Sequence, residues 1–465
     1  MVFNLSQFGT NIAVVTEQGQ KLSYKELLSL VDQIGAGLRK NTLSFCLCHN
    51  SIGSLVGYLA FLEFGIPTVM LDGDKSKDLI DSLINVYHPH YIWLPTERKQ
   101  DFSGNVIEEI EGYSMIECNF PSYDIEPSVA LLLTTSGSTG SPKLVRLTTK
   151  NLLSNAESIA EFLQIDEDER PITSLPMYYS YGLSVINSHL LKGATLLLTD
   201  RTVIQKEFWS FAKEAEATSI SGVPYTYEML RRLRIFRMDL PKLKTMTQAG
   251  GKLNAGIVEE YIKNANAVGK RFIVMYGQTE ATARMSYLPE KWAIEKYSSI
   301  GIAIPGGKFS LIDADGRVIT EPNVDGELIY EGANVSMGYA ESINDLAKDD
   351  ENHGILHTGD IARMDADGFY YITGRLKRFV KVWGNRCNLD ATEQLLKGIT
   401  TNCACVGVDD KITIFVTTEG LDGDIKTLLA EKMGLNTRAF EVRIISEIPK
   451  NSSGKVQYAE LQKML

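Results

Sequence analysis

The segment 129–147, VALLLTTSGSTGSPKLVRL, combines residue types that can hold phosphate groups. An apolar run predicts a buried strand, and it is followed by six hydroxyl and glycine residues, Thr135, Ser136, Gly137, Ser138, Thr139 and Gly140. Glycine permits the positive φ angles that turn backbone N–H groups toward one point, the hydroxyls add donors, and Lys143 adds a positive charge. The segment predicts a phosphate-binding loop, with a Ser/Gly surface turn as the alternative.

The residues after this loop argue against a P-loop NTPase. A Walker loop ends in Gly-Lys-Ser/Thr and runs straight into a helix. Here Lys143 is followed by Leu-Val-Arg-Leu, whose alternation predicts a strand, and helix signals begin only at Thr148 or Thr149. We therefore expect a hairpin-like turn to meet the phosphates, without help from a helix N-terminus.

Two motifs of the sequence match the same protein superfamily. The run TTSGSTGSPK resembles the signature loop of the adenylate-forming superfamily, which contains acyl- and aryl-CoA synthetases, peptide-synthetase adenylation domains and beetle luciferases. YGQTE, at 276–280, also matches the superfamily and follows an apolar strand, whose end is where open α/β sheets bind ligands. The resemblance implies that Tyr276 packs on adenine beside Gly277, that Thr279 contacts the α-phosphate, and that Glu280 holds magnesium.

Further motifs follow in the superfamily's order. AGGKL resembles its Gly-Gly-Ala-Pro-Leu turn and assigns Gly250 and Gly251 to the nucleotide site, with Lys252 in place of proline. HTGD supplies Asp360, a carboxylate suited to the two vicinal hydroxyls of ribose, and Arg375 is expected near the same sugar. These residues complete the implied ATP site.

The C-terminal motifs imply a mobile domain. GRLKRFVK resembles the superfamily's hinge, with Lys377 as the pivot and Lys381 reaching the active site in a second conformation. PKNSSGKVQY carries Lys455, which the resemblance makes the catalytic lysine. The segment GNRCNLDATE departs from the common pattern, with Cys387 for an aliphatic residue and Leu389 for proline.

The acyl pocket is expected in the stretch SLPMYYSYG, with Tyr179, Tyr181 and Gly182 as lining residues and further aromatic candidates at Tyr178 and Tyr225. Acyl-CoA synthetases often carry histidine at the Tyr179 position, and amino-acid-activating relatives carry aspartate. The missing carboxylate disfavours an α-amino acid substrate.

Arg284, just after YGQTE, is compatible with a polar or anionic group on the acid. The sequence favours a structural ion pair for this residue.

These elements require an α/β fold. Strand, helix and strand signals between Phe45 and Leu71 predict a parallel α/β unit. The resemblance implies a large N-terminal domain, 1–376, of stacked mixed sheets with helices plus a β-subdomain. A small mobile α+β domain, 377–465, is expected to follow as a lid.

Composition excludes several classes of protein. The chain has 465 residues, a net charge of -11 and a pI near 5.3, which argue against binding to nucleic acid or an anionic membrane. We expect no membrane span, because the most apolar window, 54–71, contains Glu63 and Pro67. Six cysteines without a CxxC pair predict reduced thiols in a cytoplasmic protein and no zinc site.

The predicted activity is ATP- and Mg²⁺-dependent activation of a small carboxylic acid to an acyl-adenylate, followed by transfer to coenzyme A. One alternative keeps the first step and loads the phosphopantetheine of an acyl carrier protein, or an amine. A second alternative, a binding protein without turnover, is disfavoured because Thr279, Glu280, Asp360, Arg375 and Lys455 are all present.

Overall fold

The structure is a computed structural model that describes residues 2–134, 143–400, 402–408, 410–450 and 456–465. For Lys377, Phe379 and Arg386 it describes the backbone only. The first elements are β1 Ile12–Thr16, β2 Lys21–Ser23, α1 Tyr24–Gly35, β3 Ser44–Cys48, α2 Ile52–Glu63, β4 Thr68–Asp72, α3 Lys77–Tyr87, β5 Tyr91–Pro95, β6 Asn105–Ile110, β7 Tyr113–Glu117 and β8 Val129–Thr134.

The middle of the chain alternates short strands and helices. Its elements are β9 Leu144–Thr148, α4 Thr149–Leu163, β10 Pro171–Ile172, α5 Ser180–Leu190, β11 Leu196–Leu198, α6 Lys206–Glu214, β12 Ser219–Gly222, α7 Pro224–Arg232, β13 Thr245–Gln248, α8 Ala255–Ala267, β14 Arg271–Tyr276, β15 Ser286–Tyr287 and β16 Ile302–Ala303.

The last third is richer in antiparallel strands. Its elements are β17 Gly307–Ile312, β18 Val318–Ile319, β19 Gly326–Gly332, β20 Tyr339–Ala340, β21 Ile355–Met364, β22 Tyr370–Arg375, β23 Phe379–Val382, β24 Asn385–Asn388, α9 Leu389–Leu395, β25 Cys403–Val408, β26 Lys411–Val416, α10 Asp422–Met433, β27 Phe440–Ile444 and α11 Tyr458–Gln462.

The chain forms two compact units, of which the first comprises 1–297, 301–308 and 331–356. It holds two mixed sheets: sheet A, with the order β16-β15-β14-β13-β12-β10-β11-β1-β2, and sheet B, with the order β20-β9-β8-β4-β3-β5-β7-β6. One apolar core contains side chains from both sheets and from α1, α2, α4 and α5. Helix α2 is buried from Ile52 to Leu62, because it is apolar on every face. The predicted α/β class is confirmed.

Local signals in the first unit agree with the sequence. β3, α2 and β4 form the expected parallel unit, with Phe45 paired to Val69. Ser23 caps α1 through a capping box with Glu26. Within the described part of the chain, no helix is both long and apolar enough to cross a membrane.

The strands that flank the predicted phosphate loop form an antiparallel pair, β8 with β9, in which Thr134 lies opposite Leu144. Helix α4 begins only after β9, where the Thr148 hydroxyl accepts from the backbone N–H of Asn151. The strand predicted after Lys143 is therefore confirmed, whereas a Walker loop continues into a helix at this point.

The second compact unit comprises 298–300, 309–330 and 357–465. It contains most of the sheet with the order β18-β17-β19-β21-β22, the β23–β24 hairpin and the sheet β25-β26-β27. Helices α9 and α10 cover the last of these sheets, and their core includes Leu396, Ile414 and Leu429. The predicted hinge at Lys377 concerns motion and stays a prediction.

Candidate active site

The candidate site begins where three parallel strands end at one edge of sheet A. β12, β13 and β14 are in register, with Gly222 opposite Gln248 and Gln248 opposite Val274. The carboxyl ends of parallel strands meet at one edge, which is where open α/β sheets bind ligands. The predicted residues Gly250, Gly251 and Gly277 follow the last two strands directly.

Two of these positions require glycine. At Gly277 an added Cβ would lie 1.8 Å from the carbonyl oxygen of Ala283. Gly250 has φ +82°, and its Cβ would lie 2.7 Å from the Tyr179 hydroxyl. Tyr276 is partly exposed, and Gln278 Nε2 donates to its hydroxyl at 3.2 Å. The backbone thus passes tightly around this edge, where Tyr276 is only partly buried.

Thr279 is tied to the start of helix α5. Its Oγ1 lies 3.2 Å from the hydroxyl oxygen of Ser180, the first residue of that helix. The loop after β14 and the N-terminus of α5 therefore form one wall, and Ser180 fixes the position of the hydroxyl predicted to contact the α-phosphate.

Glu280 is held by a residue that the sequence did not single out. The hydroxyl of Tyr339 donates to Glu280 Oε1 at 2.8 Å. Burial, together with the Glu280 carboxylate, raises the pKa of Tyr339, so the hydroxyl keeps its proton and remains a donor. On the same ring, Lys143 Nζ lies 3.6 Å from the centroid, and it lies 3.6 Å from Glu341 Oε1. Tyr339 therefore brings the predicted phosphate lysine and the predicted magnesium ligand together.

The Tyr339 segment is fixed by a buried arginine of strand β9. Arg146 is fully buried, and its guanidinium donates to the carbonyl oxygens of Met337 (3.1 Å) and Tyr339 (3.2 Å) and to Glu351 Oε2 (2.8 Å). β20 also pairs with β9, with Tyr339 opposite Val145. The position of Arg146 inside an apolar strand could have indicated such contacts, because a buried guanidinium needs several hydrogen-bond acceptors. The sequence does not say which segment supplies them.

A Tyr339→Phe variant tests this arrangement. We expect it to slow acid-dependent pyrophosphate exchange about 10-fold and to raise the magnesium concentration for half-maximal rate, because a hydrogen bond to a charged group is lost. The ring under Lys143 is retained. Tyr87→Phe is the matched control, since the Tyr87 hydroxyl donates to the neighbouring Ala340 carbonyl at 2.8 Å. An unchanged magnesium dependence in Tyr339→Phe alone would assign this tyrosine to packing.

The predicted acyl-pocket residues lie on α5 and just before it. Tyr181 is 3% exposed, and its hydroxyl donates to the Thr247 carbonyl at 2.8 Å. At Gly182 a Cβ would lie 2.1 Å from the Pro176 carbonyl oxygen, so this glycine lets the helix pass that turn. Tyr225 is 53% exposed. Their roles in an acyl pocket stay predictions.

Arg284 has surroundings that differ from the ion pair the sequence favours. Its side chain is fully buried, stacks 3.9 Å over the Tyr181 ring, and donates to Ser184 Oγ and to Met275 Sδ. Among the described residues no carboxylate lies within ion-pair distance of it. Burial lowers the pKa of Arg284 to about 10, which leaves it cationic at neutral pH. The expected structural ion pair is therefore wrong for the part of the chain described.

His189 is a core residue of α5, as its position in an apolar helix predicts. Its Nδ1–H donates to the Val185 carbonyl at 2.7 Å, and burial lowers the pKa of the imidazole to about 4. The ring is therefore neutral at physiological pH.

The predicted ribose residues are neighbours in the second unit. Asp360 and Arg375 lie opposite each other on β21 and β22, and Arg375 Nε donates to Asp360 Oδ1 at 3.1 Å. The side chain of Asp360 is 4% exposed and that of Arg375 is 63% exposed. Lys381 is an exposed residue of the β23–β24 hairpin. The hinge and transfer roles of Lys377 and Lys381 stay predictions.

Two groups of predicted residues lie outside the described part of the chain. They are the phosphate-loop residues Thr135, Ser136, Gly137, Ser138, Thr139 and Gly140, and the catalytic lysine Lys455. Among the described residues next to the second group, Lys450 pairs with Val456, and the Gln457 N–H donates to the Pro449 carbonyl at 2.8 Å.

Comparison with known proteins identifies the family. A family model described as AMP-binding enzyme matches residues 4–340. A feruloyl-CoA synthase of Amycolatopsis sp is 28% identical over 72% of this chain and 70% of its own length, and a 2-succinylbenzoate–CoA ligase of Listeria innocua is 23% identical over 96% and 95%. O-succinylbenzoate coenzyme A synthetase from Bacillus subtilis, solved in complex with ATP and magnesium ion, has a TM-score of 0.80 and 22% identity over 99% of this chain and 98% of that one. The chain belongs to the AMP-binding enzyme family, the adenylate-forming superfamily that its motifs predict.

Proposed function

We propose that this protein is an AMP-forming acid–thiol ligase that converts a carboxylic acid to an acyl-adenylate and then to an acyl-CoA. The observation that carries the proposal is the group formed by Lys143, Tyr339 and Glu280 beside the Thr279–Ser180 contact at the end of β14. The Lys143 ammonium and the two hydroxyls can bind the oxygens of a polyphosphate. The Glu280 carboxylate, which is oriented by a hydrogen bond, can bind its metal ion. Relatives named as ligases for feruloyl, oxalate and 2-succinylbenzoate groups support the same activity.

The residues present fit ATP and magnesium. Glu280 offers hard oxygen ligands, one of which Tyr339 orients, and among the described residues it has no competing cation within ion-pair distance. Magnesium, when bound, neutralises phosphate charge. Tyr276 offers an aromatic face to adenine, and Asp360 offers two acceptor oxygens to the ribose hydroxyls.

In the first half-reaction the substrate carboxylate attacks the α-phosphorus, an acyl–oxygen–phosphorus linkage forms, and pyrophosphate leaves. Both reactants are anions, so the protein's task is to neutralise charge and hold the geometry. Thr279 would donate to the α-phosphate, and Lys143 would hold the β- and γ-phosphates. Lys455 would bridge the carboxylate and the α-phosphate while charge develops.

In the second half-reaction a thiol attacks the acyl carbonyl carbon and AMP leaves. We propose that the C-terminal lid turns on Lys377, withdraws Lys455 and presents Lys381. Coenzyme A is the proposed acceptor, and the phosphopantetheine of an acyl carrier protein is the second candidate. A cytoplasmic location also stays a proposal, supported by six unpaired thiols.

Exchange of labelled pyrophosphate into ATP, measured with a panel of aryl, fatty, short and amino acids, tests the adenylation step. We expect exchange that depends on one class of acid and on magnesium. Mass spectrometry after addition of coenzyme A alone then tests the acceptor, because a direct CoA ligase gives acyl-CoA without a carrier protein. ATP binding without exchange across the whole panel would contradict the proposed activity.

A further inference from the structure

Arg284 occupies an unusual electrostatic position in the first unit. It lines a buried cavity together with His189, Ser221 and Thr247, all of which are uncharged at neutral pH. Glu169 lines the same cavity, but its carboxylate accepts from Thr218 and lies 3.6 Å from Lys244 Nζ. Arg271, the other arginine of this cavity, donates to the Leu163 carbonyl and to Thr245 Oγ1. Among the described residues, the guanidinium of Arg284 therefore has no carboxylate within ion-pair distance.

A structural role alone does not account for this charge. Stacking on Tyr181 and hydrogen bonds to Ser184 and Met275 offset part of the cost of removing a guanidinium from water. A buried charge without a countercharge remains costly, and an apolar side chain of similar volume is often tolerated better. An anion that enters beside Arg284 would gain the attraction that no described carboxylate now supplies.

The backbone of Arg284 holds the guanidinium in a fixed place. Asn155 Nδ2 and Asn334 Nδ2 both donate to the Arg284 carbonyl, at 2.9 and 3.0 Å. The contact with Ser184 then fixes the side chain at its far end. A site fixed at both ends loses little conformational freedom when it binds an anion.

Helix α5 contacts both Arg284 and Thr279, the residue predicted to contact the α-phosphate. Ser180 contacts Thr279, and Ser184, one helical turn further along the same face, contacts Arg284. An acid whose reacting carboxylate lay at Thr279 and whose chain ran along α5 would present its far end to the guanidinium. Residues on neighbouring turns of a helix are separated by ~5–6 Å, which is the span of a short aliphatic chain.

We propose that Arg284 binds a second anionic group of the substrate, so that the acid activated by this enzyme is a short dicarboxylate. The inference rests on the proposed adenylation function and specifies its substrate class. The carboxylate near Thr279 reacts, and the distal carboxylate is the countercharge of Arg284.

Acids of equal chain length test the proposal, for example succinate against butyrate and glutarate against pentanoate. We expect kcat/KM for pyrophosphate exchange to favour the dicarboxylate, and Arg284→Met to lower that value about 30-fold, because a charged hydrogen-bonded contact is lost. Arg284→Lys should keep part of the preference, since it keeps the charge. Arg284→Met should not lower the thermal stability, whereas a structural arginine would.

Arg271→Met is the matched control. Arg271 lines the same cavity, but its guanidinium donates to the Leu163 carbonyl and to Thr245 Oγ1, at 3.0 and 2.8 Å. We expect this variant to leave the preference between the two acids unchanged.

The experiments distinguish an error in the proposed role of Arg284 from an error in the proposed adenylation activity. A preference for monocarboxylates, or a preference that Arg284→Met leaves intact, overturns the role of Arg284 while adenylation stands. If no acid is activated, calorimetric titration of the full chain with succinate and with butyrate decides. Succinate binding that disappears in Arg284→Met supports the anion site, and no binding of succinate to the unmodified protein overturns it.

Discussion

We expect the Lys455→Ala substitution to lower the rate of acid-dependent pyrophosphate exchange about a thousandfold, because it removes an electrostatic contact to the transition state. Lys381→Ala should keep that exchange and lose transfer of the acyl group to the thiol. The two lysines would then act in successive half-reactions, as the proposed lid motion requires. Exchange measured by label incorporation, and acyl-CoA formation measured by mass spectrometry, separate the two effects.

The Lys455→Ala test needs a control from the same tail of the chain. Lys463→Ala is the control, because Lys463 is an exposed lysine of the same tail that pairs with Glu460 at 2.9 Å.

Equal losses of exchange in Lys455→Ala and Lys381→Ala would contradict the assignment of the two lysines to different half-reactions. Unchanged exchange in Lys455→Ala would remove the catalytic assignment altogether. Neither result would affect membership of the family, which rests on the match over residues 4–340.

Local patterns were sufficient for much of the fold. The alternation after Lys143 predicted strand β9, and the hydroxyl of Thr148 predicted where α4 begins, because both depend on neighbours within a few residues. The α/β unit around α2 followed for the same reason. The order of the motifs, through the family resemblance, supplied the site roles that composition and spacing leave open.

Contacts between residues far apart in the chain could not be predicted from sequence patterns. Tyr339 and Glu280 are separated by 59 positions, and Arg146 and Glu351 by 205, so no local spacing relates them. For Arg284 the sequence favoured a structural ion pair. The structure instead surrounds it with Tyr181 and Ser184 of α5 and Met275 of β14, which are distant from it in the sequence or lie on another element.

The second large effect is expected in the C-terminal unit, at a buried ionic cluster next to the proposed hinge. Arg378 donates to Asp390 Oδ1 and to Glu393 Oε1, both at 2.6 Å, and stacks 3.5 Å over the Tyr458 ring. The Tyr458 hydroxyl donates to Glu393 Oε2 at 3.0 Å. Burial raises the pKa of Glu393, although the positive charge of Arg378 opposes that shift. The cluster joins the residue after Lys377 to the helix that follows the Lys455 segment.

We expect Arg378→Met to destabilise this unit by about 3–5 kcal/mol, because it leaves the buried Glu393 carboxylate without its countercharge. Hydrogen exchange of the amides in β25, β26 and β27 measures the loss within the unit itself. Arg317→Met is the matched control, since Arg317 pairs with Asp315 at the surface, where the side chains are 78% and 69% exposed, and it should change stability by less than ~1 kcal/mol.

The double variant Arg378→Met, Glu393→Gln separates the two contributions to this loss. If the cost arises from an unpaired buried charge, removing that charge should recover a large part of the stability, and the two substitutions will not be additive. The carbonyl oxygen of the introduced amide can still accept from the Cys405 N–H, which donates to Glu393 at 2.7 Å, or from the Tyr458 hydroxyl. Additive losses would instead mean that Arg378 stabilises the unit mainly through its packing on Tyr458, and the electrostatic explanation would be wrong.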